Sequence, residues 1–292
     1  MKNIKWDAYQ IFLAVARHGG LSGAAEMLGV SAATIGRHML EFEQSVGRSL
    51  FVRGSTGYGL TGDGQALFDE LLAMEAASRR VENWRAETGS MTTVRIAAGS
   101  WVARLMAQNF SAIATARDSF QIAFHISEHR AQLVHRENDI GIRAVPPTES
   151  GLAAIRTGDV AYCAYQARNM APAHKDRWIA VEDDLAVSAY LRWPHQYRAG
   201  QIVVTVDRAH ALRDMILAGA GNAVLPCFVG DLDPQLERHG DVMTDIGHDQ
   251  WIVANNDDRH RRDIRIVLDR VSGLLKRHAD LFAGRRPATS RY

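Results

Sequence analysis

Glycines divide the first sixty residues into segments of helix length, and this spacing restricts the fold more than any other feature of the sequence. Gly19-Gly20, Gly29 and Gly47 each follow a segment with helical periodicity. Glycine tolerates the left-handed backbone conformation that is common just past a helix end. In the first segment the apolar residues recur at helical spacing, at Tyr9, Phe12, Leu13 and Ala16. The pattern therefore predicts three short helices that end at these glycines.

The second and third of these helices are predicted to form a helix-turn-helix over about residues 21–40. Ser22 can cap the second helix and Ser31 the third, because a serine hydroxyl accepts a hydrogen bond from the free backbone amides there. The third helix has one apolar stripe, formed by Ile35, Met39, Phe42 and Val46. A tight turn between two helices allows the second of them to enter the major groove of DNA.

The opposite side of the third helix supplies candidate contacts with DNA. The major groove is about 12 Å wide, so the residues at the leading end of an entering helix must be slim. The residues at this end are small: Ser31, Ala32, Ala33 and Thr34. Arg37 can reach a guanine edge or a phosphate, and His38 can donate a hydrogen bond to either.

Two short strands around a Gly/Ser turn are predicted after Gly47, at residues 50–53 and 58–61. Such a hairpin would form a wing beside the helices. Four of its residues are candidate contacts with the DNA backbone or minor groove: Arg53, Ser55, Thr56 and Tyr58. Three amphipathic helices with a hairpin would also suit a protein-interaction module, so the pattern by itself leaves both functions open.

A series of short motifs in this region occurs in a characteristic order. In chain order they are Ala24-Ala25, Leu28-Gly29-Val30-Ser31, Arg37, Phe42-Glu43, Gly47, Leu50-Phe51-Val52-Arg53 and Leu60-Thr61. This order resembles the DNA-binding domain of LysR-type transcriptional regulators. The resemblance implies that residues 1–61 are a winged helix-turn-helix domain that binds double-stranded promoter DNA.

The chain departs from that family pattern in the third helix. Ala32 and Ala33 stand where the family commonly has Gln or Pro, and Gly36 stands where a serine often precedes the arginine. Loss of the glutamine removes a bidentate contact with a base, so contact with a thymine methyl group is the expected substitute. The base preference of this chain is therefore expected to differ from the family's usual one.

Residues 62–90 are predicted to be a linker helix followed by a hinge at residues 87–90. Its apolar residues alternate at spacings of four and three, at Leu67, Leu71, Met74 and Val81, with Ser78 in the same register. This stripe could pack on its own domain. Because the segment lies between two self-contained domains, we expect a second copy of the chain to cover it. The resemblance agrees, since LysR-type proteins dimerise through this helix and commonly form tetramers.

Strand-like runs alternate with helical stretches from residue 93 to residue 285. The runs are residues 94–98, 120–126, 139–143, 160–165, 186–189, 202–206, 223–225 and 251–254. This alternation predicts an α/β domain with mainly parallel sheets, and a last helix over about residues 261–278 closes it. Ligands of such sheets bind beyond the carboxyl ends of the strands, beside helix N-termini that favour anions.

Three segments of this region resemble, more loosely, the effector domain of LysR-type regulators, which is folded like a periplasmic solute-binding protein. They are residues 94–98, 138–143 and 218–226. The resemblance implies that residues 91–285 form two subdomains, about 93–165 with 255–285 and about 166–254. It also implies a small-molecule effector in the cleft between them, and residues 286–292 are left as a basic tail.

Five residues are candidate effector contacts: Ser100, Trp101, His129, Arg130 and Arg143. Ser100 stands where the family often has an effector-binding Ser or Thr. Each residue also has a structural alternative, since Ser100 can cap a helix, Trp101 can be core, and His129 can be surface. The arginines can also pair with Glu128 and Glu149. Two arginines and a helix N-terminus at one sheet edge predict a small anionic effector, most simply a carboxylate.

Composition restricts the function further. The net charge is +1, and residues 1–61 carry six basic and four acidic residues, so DNA affinity must come from a few well-placed cations and from oligomerisation. No apolar run approaches the roughly 20 residues of a membrane span, and the N-terminus is unlike a signal peptide.

The two cysteines, Cys163 and Cys227, fit buried thiols in a reducing, cytoplasmic setting better than a redox switch.

Motifs that would indicate an enzyme are missing from the sequence. It contains no GxSxG, no phosphate-binding GxxxxGK[ST] and no HExxH motif, and its cysteines lack metal-ligand spacing. The sequence therefore predicts a regulator without a cofactor. Its expected partners are promoter DNA, a small-molecule effector, further copies of the chain and RNA polymerase, without a membrane.

Overall fold

The computed structural model describes residues 4–54, 57–86, 91–128, 138–149 and 151–285. The chain divides into two compact units, Met1–Thr88 and Gly89–Tyr292. The linker helix belongs to the first unit, together with the helix-turn-helix.

The first unit contains the predicted helices and hairpin. Its elements are α1 (Trp6–Arg17), α2 (Leu21–Leu28), α3 (Ala32–Val46), β1 (Phe51–Gly54), β2 (Gly57–Leu60) and α4 (Gly62–Ala86). Gly29 and Gly47 end α2 and α3 in the left-handed conformation, with φ of 69° and 72°. β1 and β2 pair antiparallel, so the winged helix-turn-helix is confirmed.

Aromatic packing joins the helices of this unit to the wing. The Phe12 ring of α1 lies 5.9 Å from the Phe42 ring of α3 and 5.2 Å from the Phe51 ring of β1. The carboxylate of Glu43 accepts hydrogen bonds from the backbone amides of Leu50 and Phe51, at 2.6 and 3.1 Å. The end of the recognition helix is thereby held to the start of the wing.

The first half of α4 is part of this core, which corrects the predicted dimer stripe. Leu71 is 1 % exposed and packs among the buried residues of α1 and α3, and Leu67 packs against the same cluster. Arg17 of α1 also donates two hydrogen bonds to Glu75, at 3.0 and 2.7 Å. Met74 and Val81, in contrast, are 49 % and 57 % exposed. All four residues follow the same spacing of three and four, so the sequence could not distinguish the buried half of the stripe from the exposed half.

The second unit is an α/β domain with helices against a large sheet. Its strands are β3 (Thr92–Ala98), β4 (Phe120–Ile126), β5 (Ile140–Arg143), β6 (Leu152–Ala167), β7 (Trp178–Val181), β8 (Ile202–Val206), β9 (Ala223–Pro226), β10 (Leu236–Arg238) and β11 (Met243–Asn255). Its helices are α5 (Ser100–Gln108), α6 (Ala189–Tyr197), α7 (Ala211–Leu217), α8 (Cys227–Gly230), α9 (Arg262–Arg277) and α10 (Ala279–Phe282).

The sheets are mixed, so the prediction of mainly parallel sheets is wrong. The strand order is β10-β6-β11-β5-β3-β4, with β9 also paired to β6, and a separate pair β7-β8. β3 is parallel to β4 and β5, and β7 to β8, whereas β11 is antiparallel to β5 and β6. β9 and β10 are also antiparallel to β6. β6 and β11 are long strands of 16 and 13 residues, and their partly exposed halves lack the apolar run by which the sequence marks a strand.

One predicted strand is replaced by another. Residues 186–189 lie between a 3₁₀ turn at Asp183–Leu185 and the first residue of α6. The strand of this region is β7, whose four residues are all buried. β7 pairs with β8 rather than with the large sheet. The other predicted strands coincide with observed ones, except that the strand predicted over 139–143 begins one residue later, at Ile140.

The parallel part of the large sheet places three strand ends together. Ala98 at the end of β3 pairs with Ile126 at the end of β4, and β5 runs parallel to β3 on its other side. The segments that follow these ends, including the start of α5, therefore meet at one edge of the sheet, as predicted.

Candidate DNA-binding surface and ligand cavity

The start of the recognition helix α3 is fixed by Ser31. Its Oγ accepts a hydrogen bond from the Thr34 amide at 3.1 Å and lies 2.8 Å from the Thr34 hydroxyl, so the predicted cap is confirmed. Ser31 and Ala33 are exposed, and Ala32 and Thr34 are half-buried. This end of α3 therefore presents a narrow surface of small side chains.

One turn further along, Arg37 extends from the exposed face of α3. Its side chain is 69 % exposed, and its Nε lies 3.9 Å from the Glu41 carboxylate, which is also 4.0 Å from Nδ1 of His38. An exposed ion pair of this kind is worth only ~0–1 kcal/mol. A phosphate or a guanine edge can therefore replace Glu41 as the partner of Arg37 at little cost.

Gly36, a departure from the family pattern, lies where α2 approaches α3. A Cβ atom built on Gly36 would be 3.2 Å from Cδ1 of Leu21 in α2, tighter than ordinary van der Waals contact. The glycine thus allows the two helices of the motif to pack closely. Its role in this chain is structural.

Leu40 is a candidate contact that the sequence pattern does not indicate. It is 50 % exposed and follows Arg37 by three residues and Ala33 by seven, so all three share one face of α3. Leucine fits the apolar periodicity of a helix, so the sequence pattern could not mark it as exposed. Its accessible methyl groups suit contact with a thymine methyl group.

Five further residues of this unit were predicted to contact DNA, and the side chains of two of them are described. Ser22 is exposed but is the second residue of α2, whose N-cap is Gly20, so the predicted capping role is wrong. Tyr58 is half-buried, with its ring 5.7 Å from the Phe51 ring. Ser55, Thr56 and the side chain of Arg53 lie outside the described residues.

A cavity of about 590 Å³ opens in the α/β domain at the carboxyl edge of β3, β4 and β5. Its walls are mainly apolar and aromatic, from Trp101, Val102, Ile142, Val160, Tyr162, Tyr190, Phe228 and Ile246. Its polar lining includes His125, Glu128, Arg143, Ser188, Asp245 and His248. This size and composition are typical of a small-molecule site.

At the edge of this cavity, Glu128 binds the start of α5. Its Oε1 accepts hydrogen bonds from the Ser100 amide, at 3.0 Å, and from the Ser100 hydroxyl. A carboxylate is favoured there because the free amides and the dipole of a helix N-terminus carry positive potential. Ser100, a predicted effector contact, therefore already has an internal anion as its partner.

Three aromatic side chains form one wall of the cavity. The Tyr162 and Tyr190 rings stack with centroids 4.6 Å apart, and the Trp101 Nε1 donates a hydrogen bond to the Tyr190 hydroxyl at 3.1 Å. Burial, and then the negative charge of Glu128, raise the pKa of both tyrosines, so both are neutral phenols. Trp101 is 4 % exposed and belongs both to the core and to the cavity wall.

Arg143 ends β5 and lines the cavity, with its side chain 4 % exposed. Its Nη1 lies 3.4 Å from Oε1 of Glu149, so the guanidinium is ion-paired within the protein. His129 and Arg130, the other predicted effector contacts of this edge, lie outside the described residues. The structure thus brings Trp101 and Arg143 to one cavity. Glu128 lines the same cavity, although the sequence indicates it only as a possible ion-pair partner of an arginine.

Other kinds of site find little support in the described part of the chain. It contains no group of three or more His, Cys, Asp or Glu side chains able to hold a metal ion. No helix within it is long and apolar enough to cross a membrane. Cys163 and Cys227 are both buried and neither forms a disulfide.

A capped, exposed recognition helix, a wing and a separate α/β domain with a cavity define a helix-turn-helix regulator of transcription. Residues 6–65 match the model of the bacterial regulatory helix-turn-helix proteins of the lysR family. The N-terminal domain belongs to this LysR-type family, and the chain is a DNA-binding transcriptional regulator rather than an enzyme.

Similarity to known proteins extends over nearly the whole chain. The chain is 26 % identical to the Mau operon transcriptional activator of Paracoccus denitrificans in an alignment of 306 residues. This alignment covers 96 % of the present chain and 97 % of the relative. The crystal structure of CbnR, a LysR family regulator, has a TM-score of 0.61 at 18 % identity and covers 94 % of this chain and 100 % of its own. Full-length CbnR in complex with its target DNA has a TM-score of 0.55 at 19 % identity, over 94 % and 99 %. The similarity to both CbnR structures concerns the fold.

Proposed function

We propose that this regulator binds promoter DNA sequence-specifically and that a small molecule bound in the α/β domain controls its activity. The observation that carries the second half of this proposal is the cavity of about 590 Å³ at the carboxyl edge of the parallel strands. Ligands of open α/β sheets bind at this edge. Among the predicted residues, Trp101 and Arg143 line this cavity.

DNA contact is proposed for the exposed face of α3. Ala33, Arg37 and Leu40 would enter the major groove, with His38 and the wing beside them. This face combines a guanidinium that can read guanine with apolar groups that can contact thymine methyls. It therefore supports readout of bases as well as binding to phosphates.

Self-association is proposed through the exposed half of the α4 stripe. Met74 and Val81 are seven residues apart and thus on the same face of α4, and both are about half exposed. A second copy of the helix would cover both. A dimer also places two recognition helices on one DNA, as half-sites require.

A relative of the chain supports a proposal for its protein partner and its location. Since the Mau operon protein is described as a transcriptional activator, RNA polymerase is the proposed protein partner of this chain. The cytoplasm, where bacterial promoters are accessible, is the proposed location.

Selection of DNA from a random library with the full-length protein tests the DNA half of the proposal. A symmetric motif with two half-sites is expected, and recovery of unrelated sequences would contradict sequence-specific binding. The selected DNA then serves in a fluorescence-anisotropy assay with and without a library of small metabolites.

The matched control for the ligand half is Val187→Trp, because Val187 lines the cavity and is 36 % exposed, so a larger side chain there obstructs the cavity without entering the core. An effector should change the DNA affinity of the wild type, whereas the DNA affinity of this variant should stay the same. Metabolites that act equally on both proteins would place the effector site elsewhere.

A further inference from the structure

The charges that line the cavity are unequally balanced. Glu128 and Asp245 are acidic, and neither forms an ion pair with any residue that the structure describes. Arg143 is the opposing cation, and its charge is already matched by Glu149. Burial lowers the pKa of His248, which favours the neutral imidazole at the cavity wall. The described lining therefore has an excess of negative charge.

Glu128 is held in a fixed orientation. Both hydrogen bonds from Ser100 go to Oε1, whereas Oε2 accepts no hydrogen bond from the described part of the chain. Oε2 approaches Gly99, where a built Cβ atom would lie 3.4 Å away, and Gly99 itself lines the cavity. A carboxylate that is oriented at one oxygen and open at the other can accept a ligand donor without reorganising.

The same arrangement disfavours an anionic ligand at this edge. The positive potential at the start of α5 is already used by the Glu128 carboxylate. A ligand carboxylate would have to displace Glu128 or lie beside a like charge in a partly apolar cavity, where charge repulsion is screened less than in water. The predicted carboxylate effector is therefore poorly matched to this arrangement.

The walls add a second reason for a cationic ligand. Trp101, Tyr162, Tyr190 and Phe228 place four aromatic side chains around the cavity, and the faces of aromatic rings attract cations. The buried Oγ of Ser188 also lines the cavity and has no hydrogen-bond partner among the described residues, so it can accept a further N–H donor. Most of the remaining lining is apolar.

We infer that the cavity takes a small organic cation, a protonated primary amine on an apolar body, with its ammonium group on Oε2 of Glu128. This inference rests on the proposed function, because it assumes that the cavity is the effector site. It names the charge class of the effector and assigns Glu128 as the residue that selects it.

Matched ligand sets of equal shape and different charge test the inference on the full-length protein. The probes are benzylamine, benzyl alcohol and benzoate, and butylamine, butanol and butyrate, measured by thermal shift and by calorimetric titration. A ligand that binds only the folded state raises its melting temperature. At least one amine is expected to stabilise the wild type more than the alcohol and the carboxylate of its own set.

Glu128→Gln is the decisive variant, since a glutamine oxygen still accepts the hydrogen bonds from Ser100 while the charge is lost. The Kd of the amine is expected to rise about ten- to a hundredfold, as for loss of a charge-assisted hydrogen bond. Asp184→Asn is the control, because Asp184 is an exposed acid outside the cavity lining, and this variant should bind the amine like the wild type.

The possible outcomes separate the inference from the proposed function. Stabilisation by a carboxylate or alcohol but by no amine would overturn the cationic ligand, and its loss in Val187→Trp would keep the cavity as the effector site. An amine that binds Glu128→Gln as tightly as the wild type would also overturn the inference. Ligands of any charge that bind Val187→Trp undiminished would overturn the cavity itself.

Discussion

We expect the double substitution Met74→Glu and Val81→Glu to convert the protein into folded monomers. Both residues are about half exposed in the single chain, so neither is needed for the core of the DNA-binding unit. They lie two turns apart on one face of α4, which the proposed dimer buries. A carboxylate cannot be desolvated there without a partner, and the interface would be lost.

The size of the effect follows from the exposed area. Full burial of a Met or Val side chain is worth ~1.5–3 kcal/mol, so burying the exposed half of each contributes ~1 kcal/mol. A symmetric dimer buries four such side chains, and the loss of ~4 kcal/mol corresponds to roughly a thousandfold weaker association. Desolvation of the four introduced charges increases this figure.

Sedimentation equilibrium over a range of concentrations measures the association, and urea denaturation of the same samples measures folding. Ala66→Glu is the matched control, because Ala66 is an exposed residue of α4 outside the stripe. Leu71→Ala should behave in the opposite way: it removes a side chain that is 1 % exposed. Its expected cost is ~2–5 kcal/mol of folding stability. A double variant that dimerises as tightly as the wild type would refute the reasoning and place the interface elsewhere.

Three further predictions concern DNA readout and stability. Arg37→Ala should weaken binding to the selected DNA by ~1–3 kcal/mol if the guanidinium contacts a base. If it contacts phosphate, the affinity should fall about equally for all DNA sequences. An unchanged affinity in the anisotropy assay would show that α3 is not the recognition helix. Replacing the thymines of the selected site by deoxyuridine should weaken the wild type more than Leu40→Ala, and equal losses in both proteins would show that Leu40 contacts no methyl group. Hydrogen bonds from Arg270, 2.6 and 3.0 Å long, lower the pKa of Asp118 to about 2. The ionised carboxyl therefore stabilises the fold at pH values above its unfolded pKa of about 3.9, and this stabilisation is lost as the pH falls towards 2. The difference in melting temperature between wild type and Asp118→Asn should therefore shrink between about pH 5 and pH 2, and a constant difference would contradict the assigned cause.

In the first unit, local sequence signals were sufficient for the elements. Glycines at helix ends, the Ser31 cap and the stripe of Ile35, Met39 and Phe42 each act within a few residues, and the structure contains the helices they predict. The same signals were insufficient for the surface. Whether Leu40 and Met74 are exposed and Leu71 is buried depends on which neighbouring helix covers them, and periodicity along one helix does not contain that information.

In the second unit, strand direction and site composition were decided by long-range pairing. The apolar runs were sufficient to predict β3, β4 and β5 and the edge at which they end. β6 and β11 also include partly exposed residues, and these residues are in strands because β6 and β11 pair with each other. Glu128 and Ser100 are 28 positions apart, and the parallel pairing of β3 with β4 brings them together.

The sequence by itself indicated the LysR-type DNA-binding domain, the order of the domains and the position of the recognition helix, because short-range periodicity, caps and turns carry that information. The tertiary structure decided which charges meet in the cavity. A candidate anion site became an edge filled by the protein's own carboxylate, because a helix N-terminus accepts whichever anion the fold brings nearest.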